Sequence, residues 1–162
     1  MRGFLFRLIN CARDREYILR KIRNHRRLLD VGCGDCRFLL KLKEMGKVKE
    51  AYGMDIININ PPKGIKFFVG NAEKKFPFPN RFFDGVACFH LLEHLKNPES
   101  CIYEIHRVLK PGGYLYLLIP KEFIRGEHVM IASFFMSLIN KKIVSPLSIH
   151  KKGLVREKYT NS

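Results

Sequence analysis

Between Leu28 and Cys36 the chain reads Leu-Leu-Asp-Val-Gly-Cys-Gly-Asp-Cys, an apolar run that ends in two closely spaced glycines. A run of this kind predicts a buried strand, and glycines at its end let the backbone come close to a ligand. An apolar-periodic stretch follows from Phe38 to Met45 and stops at Gly46, as a helix does. Strand, glycine turn and helix in that order form the first half of a βαβ unit. The start of such a helix offers free N–H donors and positive potential to a carboxylate.

The same alternation continues downstream. Val48 to Ile56, Ile65 to Val69, Phe82 to Phe89 and Tyr114 to Ile119 read as further strands. Pro98 to Leu109 reads as a helix with proline in its first turn, and Pro111-Gly112-Gly113 as a turn. Residues 11–26 read as a basic amphipathic helix with Ile18, Leu19 and Ile22 on one face. Strands alternating with helices predict a parallel sheet covered on both faces by helices.

A chain of 162 residues is expected to form one domain. It divides into a basic N-terminal helix (1–27), a core (28–120) and a short basic C-terminal segment (121–162). The net charge of +15 is uneven. Residues 1–27 hold nine basic and two acidic side chains, and residues 121–162 hold eight and three. The core holds thirteen and ten. Basic ends on a near-neutral core can meet RNA or another anionic partner, or can simply be solvated surface. The five cysteines show no regular framework and read as reduced, which places the protein in the cytoplasm. The longest apolar run, Val129 to Ile139, is too short for a transmembrane segment. No metal is expected, because Cys33 and Cys36 have no second C-x-x-C to complete a closed site.

Several residues carry chemical meaning by position. A nicotinamide-type loop would follow G-x-G-x-x-G, but its last glycine is Arg37 here. Asp55 closes the second strand, where an acid can accept both hydroxyls of a ribose. His90 and His94 follow the fourth strand, at the mouth of such folds, and are candidate bases for an acceptor proton. Arg107 and Lys110, near the end of a helix, favour its negative end and read as structural.

Taken in order, Asp30-Val31-Gly32-Cys33-Gly34, Gly70-Asn71-Ala72-Glu73, Phe76-Pro77-Phe78-Pro79, Leu91-Leu92-Glu93-His94-Leu95 and Glu104 through Gly113 resemble the UbiE-type class I methyltransferases that use S-adenosylmethionine (SAM), the type 11 methyltransferase domain. The resemblance covers Leu28 to Pro120. It implies a Rossmann-like three-layer α/β sandwich with a mainly parallel sheet in the order 3-2-1-4-5. It also implies methyl transfer from SAM to a nucleophilic atom, with S-adenosylhomocysteine (SAH) as product. Asp30, Gly32, Cys33, Gly34, Asp55, Ile56, Asn71, Ala72 and Phe89 are the cofactor-binding positions it implies. Asp30 would fix the amino end of the cofactor, and Ile56 would lie on the adenine. Asn71 stands where the family has Asp, and its amide carbonyl can still accept from the adenine amino group. Cys36 replaces the last glycine of the family's loop, and its side chain there would narrow the pocket.

The acceptor is open. A small molecule is slightly favoured over tRNA or rRNA, because no RNA-binding module with stacking aromatics is present. Cys36, Asn71 and the short C-terminus also raise a third reading, a non-catalytic or partner-dependent SAM-binding subunit. Only 43 residues follow Ile119, and no alternating pair of strands is seen among them, so the family's C-terminal antiparallel hairpin is expected to be missing. The fifth strand would then lie at or near a sheet edge and invite a homodimer or a partner subunit.

Overall fold

Alternate residues of the central strands face opposite layers of helix. In β2 (His25–Val31), Leu28 packs with Ile18 and Leu19 of α1 (Asp14–Lys21), with Ile22 just after it, and with Phe38, Leu39 and Leu42 of α2 (Arg37–Glu44). Leu29 and Val31 point the other way, onto Cys101, Ile102, Ile105 and Val108 of α3 (Pro98–Val108). Both leucines are wholly buried, and each contributes about 1.5–3 kcal/mol by leaving water. This period of two places two apolar cores on the two sides of one sheet.

The computed structural model describes residues 5–8 and 14–119. The remaining strands are β1 (Leu5–Leu8), β3 (Val48–Asp55), β4 (Ile65–Val69), β5 (Phe83–Phe89) and β6 (Leu109–Leu118), with a 3-10 turn at Leu92–His94. The sheet runs β1-β6-β5-β2-β3-β4, and every adjacent pair is parallel. The expected order 3-2-1-4-5 is therefore present as β4-β3-β2-β5-β6. The chain builds outward from β2 to β4, then returns to β5, so the topological switch point lies between β2 and β5.

Two expectations are corrected. The first concerns the outer edge of β6. Leu5–Leu8 pairs there in parallel, with Leu5 opposite Tyr114 and Leu8 opposite Leu117. The N-terminal region thus holds a strand before its helix, and the edge proposed for a homodimer or partner subunit already has a backbone partner. The second concerns Pro111-Gly112-Gly113, which lies within β6. Phe83 stands opposite Leu109 and Gly85 opposite Tyr114, so Lys110–Gly113 bulge out across Asp84. The expectations for residues 1–4, 9–13 and 120–162, including the Val129–Ile139 segment and the missing hairpin, lie outside the described residues.

Helix α1 is held at its end by a distant side chain. The Lys47 ammonium donates to the carbonyls of Leu19, Arg20 and Ile22 at 2.7, 3.0 and 3.1 Å. Carbonyls at a helix C-terminus have no partner within the helix, and a cation there also meets the negative end of the helix dipole.

Candidate functional site

Because the strands are parallel, the loops after β2, β3 and β5 share one edge of the sheet. The first is the glycine loop. Gly32 adopts φ 72°, and a Cβ on it would lie 3.1 Å from the Leu91 side chain. Only glycine takes both that conformation and that approach without strain. The N–H groups of Gly32 and Cys33 donate to the Met54 carbonyl at 2.8 and 3.2 Å, which ties the loop to β3. The Gly34 N–H donates to Asp55 Oδ2 at 2.9 Å. Cys36 N–H donates to the Cys33 carbonyl, and Arg37 N–H to Asp35 Oδ1. Five amides of this turn are therefore bonded within the protein. The loop uses them to fix its own shape.

Cys36 is a further correction. It sits at φ 61°, as a glycine would, yet it is wholly buried. Its Sγ lies 3.5 Å from Cys33 Sγ. A Cβ on Gly53 of β3 would come within 2.8 Å of Cys33 Sγ and 3.1 Å of Cys36 Sγ. Both thiols therefore turn onto the sheet above Gly53, where burial raises their pKa values and the Asp30 carboxylate adds to the rise. Neither narrows the crevice.

The second loop begins at Asp55, whose Oδ1 accepts the Ile57 N–H at 3.0 Å. Ile56 and Ile57 are each 66% exposed, an unusual setting for two large apolar residues. After β4, Asn71 Oδ1 accepts the Glu73 N–H at 2.8 Å, leaving its amide NH2 without a partner among the described residues. Ala72 is buried. The third loop follows Phe89, whose ring is buried edge-on against Phe38 with centroids 4.8 Å apart. A contact of Phe89 with a ligand would have to use its backbone. His90 adopts φ 52°, and its N–H donates to the Leu118 carbonyl at 3.0 Å. Its ring Nδ1 lies 3.4 Å from Glu93 Oε1. His94 is exposed at the end of the 3-10 turn. The structure thus gathers Asp30, Gly32, Gly34, Asp55, Ile56 and His90 at one edge, while Cys33, Ala72 and Phe89 turn their side chains inward.

The family profile described as a methyltransferase domain matches residues 29–117. The chain belongs to this family. Among relatives, the demethylmenaquinone methyltransferase of Geobacillus kaustophilus is 32% identical over 113 residues, covering 61% of this chain and 48% of the relative. The ubiquinone/menaquinone biosynthesis C-methyltransferase UbiE of Coxiella burnetii is 39% identical over 56 residues, covering 35% of this chain and 22% of the relative. The chain spans less than half the length of these relatives. A SAM-dependent methyltransferase from Aquifex aeolicus shares the fold with a TM-score of 0.61 at 22% identity, over 77% of this chain and 78% of the other. One from Archaeoglobus fulgidus gives 0.54 at 27% identity, over 63% and 49%.

Within this methyltransferase fold, one supporting element escaped the sequence reading. Glu104 Oε2 accepts the buried Phe76 N–H at 2.7 Å. Arg107 binds Glu104 and also donates to the carbonyls of Phe76 and Phe78 and to Asn80 Oδ1. The pair clamps the Phe76–Asn80 segment that leads back into β5. The Glu104-x-x-Arg107 spacing on one helix face was the available signal.

Proposed function

We propose that this methyltransferase domain moves the methyl group of SAM to a small-molecule acceptor at the crevice formed by the loops after β2, β3 and β5. The observation that carries the reading is the Gly34–Asp55 contact, which joins the glycine loop to a strand-end carboxylate beside an exposed apolar surface at Ile56. Asp55 suits the ribose hydroxyls, Ile56 the adenine face and Asn71 the adenine edge. Gly32 and Gly34 leave space for the chain of the cofactor, with Asp30 beneath them. Cys33, Ala72 and Phe89 contribute through backbone.

Bound SAM supplies an electrophilic methyl group. The residues around it then have to hold an acceptor atom in line and exclude water. His90 stands at the crevice as the candidate base, with Glu93 beside it. His94, exposed and without such a neighbour, is the weaker candidate.

The basic N-terminal region bears on the RNA alternative. Arg23 lies over the Tyr114 ring, Arg27 lies over Phe82 and pairs with Glu50, and Arg26 also reaches Glu50. These side chains pack at the start of β2, while the crevice lies past its end. A strand of this length separates them by about 20 Å. The distance of these three arginines from the site favours the small acceptor. The quinone names of the relatives point the same way, and action in the cytoplasm accords with four free thiols among the described cysteines.

Calorimetry with SAM and SAH, followed by an assay of SAM-dependent methylation of demethylmenaquinol and a panel of small phenols, is the test. Methylation of one of them supports the reading. Methylation of tRNA alone, with binding that falls steeply as salt rises, would replace it with the RNA reading. Tight SAM binding without turnover on any acceptor would point to a binding subunit.

A further inference from the structure

The segment after β5 holds a carboxylate with one oxygen that the site as described leaves unused. Glu93 Oε2 is buried and has no hydrogen-bond partner. Its other oxygen lies toward His90, at 3.4 Å from Nδ1. A carboxylate oxygen removed from water without a donor is costly, so this position calls for one. The surroundings say which kind. Leu91, two residues earlier, packs on Gly32 of the glycine loop. Cys88, which stands opposite Val31 in the sheet, has its thiol pushed up first by Cys101 and burial, and further by both Asp30 and Glu93. Asp30 and Glu93 therefore both act on the Cys88 thiol, which lies in the core near the end of β5. A cationic donor satisfies a buried carboxylate oxygen better than a neutral one.

We propose that Glu93 anchors the α-ammonium of the cofactor, with Oε2 as the acceptor. This inference rests on the reading of the crevice as the SAM site. It adds a side chain from the loop after β5 to a cofactor site to which β5 otherwise contributes only the Phe89 backbone. It also gives the Leu91–Gly32 contact a purpose, since that packing holds the 3-10 turn against the loop.

The test is calorimetry on the full chain with three probes. SAM and SAH carry the ammonium, whereas 5′-methylthioadenosine keeps the nucleoside and thioether but has no amino-acid end. Glu93→Gln should weaken SAM and SAH about 10- to 100-fold and leave 5′-methylthioadenosine unchanged. Unchanged SAM affinity in Glu93→Gln overturns the anchor alone. Equal weakening of all three probes also overturns it, because Glu93 would then be shaping the fold. If wild-type protein binds neither SAM nor 5′-methylthioadenosine, the cofactor site itself is misplaced and the anchor falls with it. Should Glu93→Gln fail to fold, Glu93→Asp, which keeps the charge but retracts the oxygen, takes its place with the same expectations.

Discussion

The Gly34 N–H and the Asp55 carboxylate are joined at 2.9 Å, although 21 residues separate them in the chain. Through this bond one side chain sets the shape of the glycine loop and keeps its second oxygen close to the Ile57 N–H. Asp55→Ala removes both acceptors. SAM affinity should fall by about 1.5–3 kcal/mol, the worth of a hydrogen bond to a charged group. Calorimetry on the folded variant measures it. Undiminished affinity would mean that the ribose is held elsewhere.

Gly53 is a glycine because two thiols lie on it. Adding a Cβ would bring it within 2.8 Å of Cys33 Sγ, and overpacking of this kind costs about 1–3 kcal/mol. Gly53→Ala should therefore lower the melting temperature clearly. Cys33→Ala removes the offending sulfur, so the double variant should recover much of the loss. Additive destabilisation in the double-mutant cycle would show that the clash lies elsewhere.

His25 makes stability depend on pH. Burial lowers its pKa from 6.5 to about 4, against an opposing pull from Asp84 and with a smaller push from Arg23. Its Nε2 meets the Tyr116 hydroxyl at 2.9 Å, and a Cβ on Gly85 would lie 2.9 Å from its ring. Above pH 6.5 the ring is neutral in both folded and unfolded chains. Between 6.5 and about 4 the unfolded chain takes up a proton that the folded chain refuses. Stability should fall across that window and level off below it, by on the order of 3 kcal/mol. Urea unfolding at a series of pH values measures the slope. His25→Gln should flatten it, and an unaltered slope in that variant would assign it to other groups.

The five central strands were legible because each is an apolar run bounded by glycine, proline or charge, and their spacing leaves room for crossover helices. The proposed site positions were placed by sequence because they fall near strand ends, which sequence marks well. What was hidden depended on direction. The sign of φ at Cys36 sends its thiol into the sheet, and nothing in the residue order reveals that sign. Lys110–Gly113 reads as a turn because proline and two glycines usually make one, but strand pairing resumes on both sides and makes it a bulge. Leu5–Leu8 is short and gains its partner 109 residues away, at Tyr114, so local pattern could not announce it.

Arg107 was expected to complement a helix end, and its five contacts give it a larger role. Its side chain and that of Glu104 are only 16% and 11% exposed. Removing one member of such a pair leaves a buried charge and several carbonyls without a donor. Arg107→Ala should destabilise the fold by about 3 kcal/mol. Arg107→Lys should recover little of this, since a single ammonium cannot span Glu104, two carbonyls and Asn80 as a planar fork does. Denaturant unfolding of the two variants decides it. Full recovery by lysine would mean that charge alone matters at this position.

Lys47 offers a local version of the same test. Its ammonium closes the end of α1 on three carbonyls, while α1 and the residue after it contribute Ile18, Leu19 and Ile22 to the core beside α2. Lys47→Met keeps the apolar stem and deletes the donors. Each hydrogen bond from a charged donor contributes about 1.5–3 kcal/mol at most, and water can replace part of what is lost at the exposed Arg20 carbonyl. A net loss of about 1–3 kcal/mol is therefore expected, concentrated in α1. Hydrogen exchange should accelerate at the amides from residue 18 to residue 22, at and just past the end of α1, with little change at β2 or β3, which are held by their own ladder. SAM affinity should stay near the wild-type value, because Lys47 directly precedes β3, at the opposite end of that strand from Asp55. Uniform acceleration across the sheet would show that Lys47 supports the global fold and that α1 is not a separately released unit.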